Sequence, residues 1–395
     1  MDTGRKLQFA DLEAVGPGTP AGCYLRRFWH PVLRASDMRP RTAKPIEILG
    51  ERFTLYRGEG GEFHLCGFRC PHRGAQLSLG WVEGDDIRCR YHGWRFDCAG
   101  QCVEQPDVEM SNAARVKLPV YPTREYLGLV FAYVGEGEPP TFQRYPDLDR
   151  PGVIITDATE IIPCSFWNRL DNDINHIPWV HRATALRKGR NDFIVPRRET
   201  VEETPYGWKS TRYAKGDANG FRDMSGSAHF FMPNVYQFGV RTRVKGFEGR
   251  NLWDTKITWT VPINDRTFAA FDVTHTPLEG QEARDYEAGR LKQQEAESGD
   301  RWDLAEKVLA GEMTLEELPD ELSAYTSFAI EDYVTQVGQG SVAERGRERL
   351  VDTDKKVILM RRLWLREVGA LMEGQPLTAW QIPTEPLQQL ATATA

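Results

Sequence analysis

Between Pro45 and Phe68 apolar residues fall on alternate positions in short bursts: Ile46 and Ile48, then Phe53 and Leu55, then Phe63 and Leu65, with a Gly58-Glu-Gly-Gly61 break. Period-two alternation interrupted by glycine turns predicts antiparallel hairpins. Farther along, "WRFDCAGQCVE" (Trp94 to Glu104) predicts another hairpin turning at Ala99-Gly100, and "EYLGLVFAYVG" (Glu125 to Gly135) predicts one long apolar strand. These segments define a small β domain over residues 24–134, preceded by an N-terminal arm, 1–23. Residues 135–152, "GEGEPPTFQRYPDLDRPG", are rich in Pro, Gly and charge and predict a linker. The second domain, 153–390, is mixed. "KITWTVPI" and "RTFAAFDVTHT" predict strands, whereas the charge-dense stretch from Glu282 to Glu312 and "DELSAYTSFAIEDYVTQVG" predict helices, so the fold class is α+β.

Composition narrows the function classes. A chain of 395 residues with a formal net charge of -7 has no basic field to attract nucleic acid or an anionic membrane. The longest apolar run, Leu127 to Gly135, falls far short of the roughly 20 residues a spanning helix needs. The N-terminus "MDTGRKLQFADLEAVG" has no apolar leader, and a cytoplasmic location is expected. Cysteine count is odd at seven, and Cys66, Cys70, Cys89 and Cys98 crowd into one stretch, which points to metal ligation rather than a disulfide frame.

Cys70-x-His72 and Cys89-x-x-His92 hold one ligand of each kind per cluster. A structural zinc finger usually pairs Cys with Cys and His with His, and a zinc-stabilised binding module is the rival reading. Interleaving makes chemical sense if two irons share the site, thiolates at one and imidazoles at the other, as in a Rieske [2Fe-2S] centre. Gly74 and Gly93 supply backbone freedom beside the ligands, and Trp94 can shield them. Cys23, Cys66, Cys98, Cys102 and Cys164 are left as core or surface thiols.

A second constellation lies in "CSFWNRLDNDINHIPWVHRAT" (Cys164 to Thr184). Asp173 and His176, three apart, share a helix face. Pro178 disfavours helix at Ile177, ending it at His176 and bending His181 back toward the same point. Two converging imidazoles are two thirds of a facial triad for Fe(II). Glu331 and Asp332 are candidate carboxylates, unless both sit on a solvated helix face.

"CPHRGAQLSLG" (Cys70 to Gly80) and "CRYHGWRFDCAG" (Cys89 to Gly100) resemble the Rieske loops of the ring-hydroxylating non-haem iron oxygenases, and Val15 to Val32 is similar to the N-terminal segment of the phthalate dioxygenase type. The resemblance implies an all-β Rieske domain followed by an α+β catalytic domain, a central antiparallel sheet flanked by helices. It assigns the cluster to Cys70, His72, Cys89 and His92, and the mononuclear Fe(II) to His176, His181 and Asp332, the position matching the family's acidic ligand. Asp173 would link His176 to His92 of an adjacent subunit and relay the electron, although Asn172 stands next to it where the family's asparagine lies several residues earlier. Electrons would come from a separate NAD(P)H-dependent flavin and iron-sulfur reductase, and the assembly would be a homotrimer or a multiple of trimers. The reaction would couple O2 to hydroxylation or cis-dihydroxylation of a small aromatic or other cyclic substrate, with O- or N-demethylation as the alternative. An electron-transfer protein without oxygenase activity is the rival from another class. For the substrate pocket, Phe230, Phe231, Tyr236 and Phe238 are candidate walls and Arg241 and Arg243 candidate carboxylate partners; the competing reading makes them core aromatics and surface arginines.

Overall fold

The computed structural model describes residues 7–174, 178–189, 197–215, 221–242, 244, 246–247, 252–297, 301–346 and 348–387. Helix α1 (Pro20–Leu25) starts at Thr19, whose Oγ1 accepts the Gly22 amide at 3.2 Å. Short strands follow: β1 (His30–Arg34), β2 (Thr42–Ile48), β3 (Glu51–Arg57), β4 (Phe63–Gly67), β5 (Trp81–Glu83), β6 (Asp86–Arg88), β7 (Arg95–Phe96), β8 (Cys102–Glu104), β9 (Val120–Tyr121), β10 (Thr123–Tyr126) and β11 (Leu129–Ala132). They form three antiparallel sheets, ordered β1-β11-β10, β2-β3-β4-β9 and β5-β6-β7-β8.

The hairpins predicted from alternation are present, with Leu55 of β3 paired to Lys44 on one side and Leu65 on the other. One expectation is corrected. The apolar run after Glu125 is two strands, because Leu127 and Gly128 both adopt positive φ, 53° and 70°, and fold β10 back onto β11. All four residues of β11 are buried, so its apolar residues run on without alternation and mask the turn.

The second half adds β12 (Val153–Thr156), β13 (Glu160–Ile162), α2 (Phe166–Ile174), α3 (Arg182–Arg187), β14 (Arg197–Thr204), β15 (Gly207–Lys215), β16 (Phe221–Phe231), β17 (Val235–Arg241), β18 (Trp253–Asn264) and β19 (Thr267–Thr276). Helices α4 (Gly280–Glu297), α5 (Arg301–Leu309), α6 (Ala324–Gly338) and α7 (Lys355–Met372) close the chain. The strands make one antiparallel sheet, β12-β19-β18-β17-β16-β15-β14, with β13 also on β19. This is the α+β architecture expected. Among the described residues no helix is long and apolar enough to cross a membrane.

Residues 135–152 carry no helix or strand, yet the segments on either side share one continuous core that joins Phe53, Leu55 and Phe131 to Trp259 and Phe271. The β2–β3 turn also donates from the amides of Leu49 and Gly50 to the carbonyls of Pro262 and Ile263, at 2.9 and 2.7 Å.

Helix α2 is the element that builds the second site, and its period explains its place. Phe166, Trp167 and Leu170 are fully buried, whereas Asn168, Asp171 and Asn172 make polar contacts to later parts of the chain. Asn168 Nδ2 donates to the carbonyls of Gln336 and Gly340, both at 2.9 Å, which closes the C-terminal end of α6. Asp171 accepts from Arg345 and Arg361, at 2.9 and 2.5 Å. Trp167 meets Trp364 of α7 edge-on at 4.9 Å, and Trp364 Nε1 donates to Pro233 at 2.9 Å. Replacing Trp364 by Ala leaves a cavity under α2 and an unpaired carbonyl; a loss of about 3–5 kcal/mol is expected, seen as a lower apparent melting temperature with the far-ultraviolet circular dichroism of the folded protein unchanged.

Candidate metal centres

The first site is built from two loops with the same backbone. In one, the Cys70 amide donates to Ala75 and Gly74 returns a bond to Cys70, at 2.8 and 2.9 Å; in the other, Cys89 donates to Trp94 and Gly93 to Cys89, at 2.8 and 3.0 Å. Both glycines have positive φ, 74° and 70°, and a Cβ on Gly93 would meet Pro106 at 3.0 Å. The arginine just before each cysteine clasps its own loop: Arg69 donates to the Gly74 carbonyl at 3.0 Å and Arg88 to that of Gly93 at 2.8 Å. The shared Arg-Cys-x-x-x-Gly pattern is visible in the sequence, and reading only the metal-ligating residue types misses it.

Different histidine offsets on identical loops then sort the ligands. The Cys70 and Cys89 side chains are hydrogen-bonded neighbours, both buried. The bond from Cys70 pulls the Cys89 thiol down to about 6, helped by the amides of Tyr91 and His92. Cys70 is pushed well above the usual thiol range, first by that same bond, although the amides of His72 and Arg73 point at its sulfur. Two sulfurs, each facing two backbone N–H groups, are suited to sharing anionic charge with a metal. The imidazoles of His72 and His92 lie side by side, ring centroids 4.6 Å apart, and Trp94 stacks flat on His72 at 4.3 Å. His72 is exposed while both cysteines are buried. Thiols inside and imidazoles outside fit a [2Fe-2S] group with one iron of each kind. The other cysteines are core or surface residues: Cys66, Cys102 and Cys164 are buried, and Cys23 and Cys98 are exposed.

The second site lies between α2, α6 and a short helical turn, Pro178–His181. His181 is buried and gripped on both sides of its ring. Its Nδ1 faces Glu331 Oε2 at 2.9 Å, so the proton sits on Nδ1, and its Nε2 faces Asp332 Oδ1 at 3.8 Å. Glu331 also accepts the Thr184 amide at 2.8 Å. Asn172 Nδ2 donates to Asp332 Oδ1 at 3.1 Å. Burial pushes the Asp332 carboxyl up, against the pull of His181, Arg169 and Asn172, which is the signature of a carboxylate short of positive charge. An imidazole nitrogen with its proton on the far side and a carboxylate oxygen opposite it fit a divalent metal. Glu331 corrects the alternative of a solvated acid pair: it is fully buried and orients His181, a role that needs the tertiary structure to be seen. His176 lies outside the described residues, as does Arg243; Asp173 is on the last turn of α2 and Arg241 ends β17, and the side chains of both are outside the described residues.

Beside His181 and Asp332 opens a cavity of about 310 Å³, lined by Tyr236 and Phe238. Phe230 and Phe231, the other two aromatic candidates, belong to the core.

Two cysteines and two histidines are thus brought together in the β domain, and a histidine–carboxylate pair lines a cavity in the α+β domain. Residues 28–122 match the Rieske [2Fe-2S] domain family. The 5,5'-dehydrodivanillate O-demethylase oxygenase subunit of Sphingobium sp. (strain NBRC 103272 / SYK-6) is 28% identical over 374 residues, 92% of this chain and 80% of that protein. The phenoxybenzoate dioxygenase subunit alpha of Ectopseudomonas oleovorans is 28% identical over 383 residues, 92% of this chain and 85% of that one. Among solved structures, the terminal oxygenase of carbazole 1,9a-dioxygenase from Novosphingobium sp. KA1 superposes with a TM-score of 0.62 at 21% identity, covering 91% of this chain and 94% of that one. The reduced complex between oxygenase and ferredoxin in carbazole 1,9a-dioxygenase gives 0.62 at 19% identity, with 93% and 94% covered. The chain carries a Rieske [2Fe-2S] domain and is similar over most of its length to oxygenase components of Rieske oxygenases, findings that support a terminal oxygenase with a [2Fe-2S] cluster and a mononuclear iron as cofactors.

Two outcomes follow from this geometry. Gly93→Ala should lower acid-labile sulfide per chain more than Gly74→Ala, because only Gly93 adds a close contact to the backbone strain. Glu331→Gln removes the charge behind His181 and should weaken mononuclear iron binding roughly 10–100-fold, measured as iron retained against a chelator, while the electron resonance of the reduced cluster stays as in the wild type.

Proposed function

We propose that Cys70 and Cys89 hold one cluster iron and His72 and His92 the other, that His176, His181 and Asp332 hold the mononuclear iron, and that the domains are divided at residues 135–152. The observation that carries the catalytic reading is His181, set between Glu331 and Asp332 on the wall of a cavity large enough for a single-ring substrate. When bound, the mononuclear iron supplies the open coordination positions at which O2 is activated. The chain's residues do the rest. Glu331 fixes the tautomer of His181, Asn172 orients Asp332, and Tyr236 and Phe238 exclude water and flank a ring.

The substrate we infer is a small aromatic or other cyclic compound, and the reaction its hydroxylation or cis-dihydroxylation. O-demethylation is the second reading, supported by the likeness over 92% of the chain to the dehydrodivanillate demethylase subunit. Electrons come from a separate protein, as the oxygenase–ferredoxin complex suggests for a related fold, and ultimately from an NAD(P)H-dependent flavin and iron-sulfur reductase. An exposed His72 and a half-buried His92 outside buried thiols favour electron entry and exit at the His72 and His92 edge. There, in a trimer, Asp173 of one subunit would bridge His176 of its own chain and the neighbour's cluster histidine.

Product analysis after turnover with methoxylated and unsubstituted aromatics separates the two reactions: formaldehyde release marks demethylation, a diol or phenol marks the other. A reduced cluster with the resonance of all-cysteine ligation, or zinc as the metal in place of iron, overturns the whole reading. For the relay, Asp173→Asn should keep both metals and normal cluster reduction but slow oxidation of the pre-reduced cluster by substrate and O2 by orders of magnitude, since an amide offers one acceptor oxygen where the carboxylate offers two; a wild-type rate in single turnover refutes it.

A further inference from the structure

The N-terminal arm precedes the β domain in sequence, but its described residues pack on the helices of the second half. A short helical turn, Phe9–Leu12, sets Phe9 edge-on against Trp167 of α2, ring centroids 4.8 Å apart, and the Leu12 carbonyl accepts from Trp167 Nε1 at 2.9 Å. Glu13 Oε1 accepts the amide of Val342, just past the end of α6, at 2.8 Å. Leu12 and Val15 are fully buried, in the same core as Trp167 and Trp364. One arm therefore touches α2, which carries Asn172, and the end of α6, which carries Glu331 and Asp332.

Phe9 has a second partner. The guanidinium of Arg361, on α7, lies 3.9 Å over its ring. From there Arg361 Nη2 donates to Asp171 Oδ2 of α2 at 2.5 Å, and its two Nη atoms fork onto Glu348 at 2.5 and 3.1 Å. Arg345 donates to the same Asp171 oxygen at 2.9 Å. The side chains of Asp171, Arg345 and Arg361 are only 11%, 8% and 9% exposed. Taking such charges out of water gives no more stability than apolar packing of the same volume would, but a paired network can fix one register where apolar packing allows several. A ring under a planar guanidinium holds the plane of its fork, which it could not do for a lysine ammonium. Asp171 adjoins Asn172, whose Nδ2 lies 3.1 Å from Asp332 Oδ1. A rotation of α2 that moved the one off Arg361 would carry the other off Asp332.

We propose that the N-terminal arm is a positioning element of the iron site. Phe9 holds the plane of Arg361, Arg361 holds Asp171, and the rotation of α2 set in this way delivers Asn172 to Asp332. The inference rests on the reading of His181 and Asp332 as iron ligands and adds to it a residue from the far end of the chain. An arm that only covered Trp167 would be served as well by a leucine at position 9; a ring that steers a guanidinium would not.

The test uses the full chain reconstituted with Fe(II) in the absence of oxygen, as wild type and as Phe9→Leu, Phe9→Tyr and Arg361→Lys. Two quantities are read: the Fe(II) dissociation constant in competition with a chelator, and the electron resonance of the mononuclear site after addition of nitric oxide, whose line shape follows the arrangement of the ligands. Phe9→Leu and Arg361→Lys are expected to weaken iron binding roughly three- to thirtyfold and to broaden that resonance. Phe9→Tyr keeps the aromatic face and should stay near the wild type in both, and the resonance of the reduced cluster should be unchanged in all three. Wild-type iron affinity and line shape in Phe9→Leu and Arg361→Lys overturn the positioning role whatever happens to the melting temperature, because the arm then only packs. Loss of the cluster together with the iron overturns it as well, since the effect is then not local to the iron site. If the wild type takes up no mononuclear iron, or His181→Ala binds it equally well, the reading of His181 and Asp332 fails and the positioning role falls with it.

Discussion

The catalytic half of the molecule depends on two consecutive carboxylates of α6 reaching one imidazole. Successive helix residues point about 100° apart, so Glu331 and Asp332 can meet His181 from opposite sides, at 2.9 Å on Nδ1 and 3.8 Å on Nε2. The first contact fixes the proton and the ring plane, and the second leaves room for an ion between nitrogen and oxygen. That arrangement requires α6 to be held in axial position and rotation. Asn168 does this by capturing the Gln336 carbonyl in the last turn of α6 and the Gly340 carbonyl just past its end, and Asn172, one turn later on α2, reaches the Asp332 oxygen itself. Helix α2 is in turn fixed by the packing of Trp167 on Trp364 and by the two arginines on Asp171.

The two metal centres solve the problem of holding different ligands in different ways. At the cluster, one loop design is used twice, with the same glycine conformation and the same arginine clasp, and the single change in histidine offset sets the imidazoles beside each other while the sulfurs stay inside. At the proposed iron site nothing is repeated, and His181 and the two carboxylates facing it come from an α2-proximal turn and from a helix some 150 residues later. Local sequence can specify the first; only tertiary packing can specify the second.

This difference accounts for what was legible in the sequence. The mixed β and α+β architecture followed from alternation and charge density, and the interleaved Cys and His spacing pointed to a cluster because all four residues proposed to hold it lie within two short loops. The hairpin at Leu127-Gly128 was hidden because both faces of β11 are buried, which removes the alternation that marks a strand and leaves only a glycine to mark the turn. Glu331 was hidden for another reason: beside Asp332 on a helix it has the pattern of a surface acid, and its burial comes from α3 and the His181 turn closing over it. Lys256 and Asp272 were passed over as strand residues since each lies in a run rich in apolar and β-branched neighbours, and only the register of β18 against β19 brings them to 2.6 Å.

Charge balance ties these features together. Asp332 is half-buried with its carboxyl pushed toward the neutral form, and Glu331 adds a second carboxylate on the far side of the same imidazole. A divalent ion held by His181 and Asp332, as proposed, would supply the positive charge that this joint lacks, and its binding free energy would also act to hold α6 against the His181 turn and α2. The polar floor of the cavity is balanced internally instead, by Lys256 against Asp272 and by hydroxyls on Asp254. The two parts of the cavity differ in this respect: the proposed iron joint would be completed by an ion from outside the chain, whereas the floor carries its ion pair within the sheet.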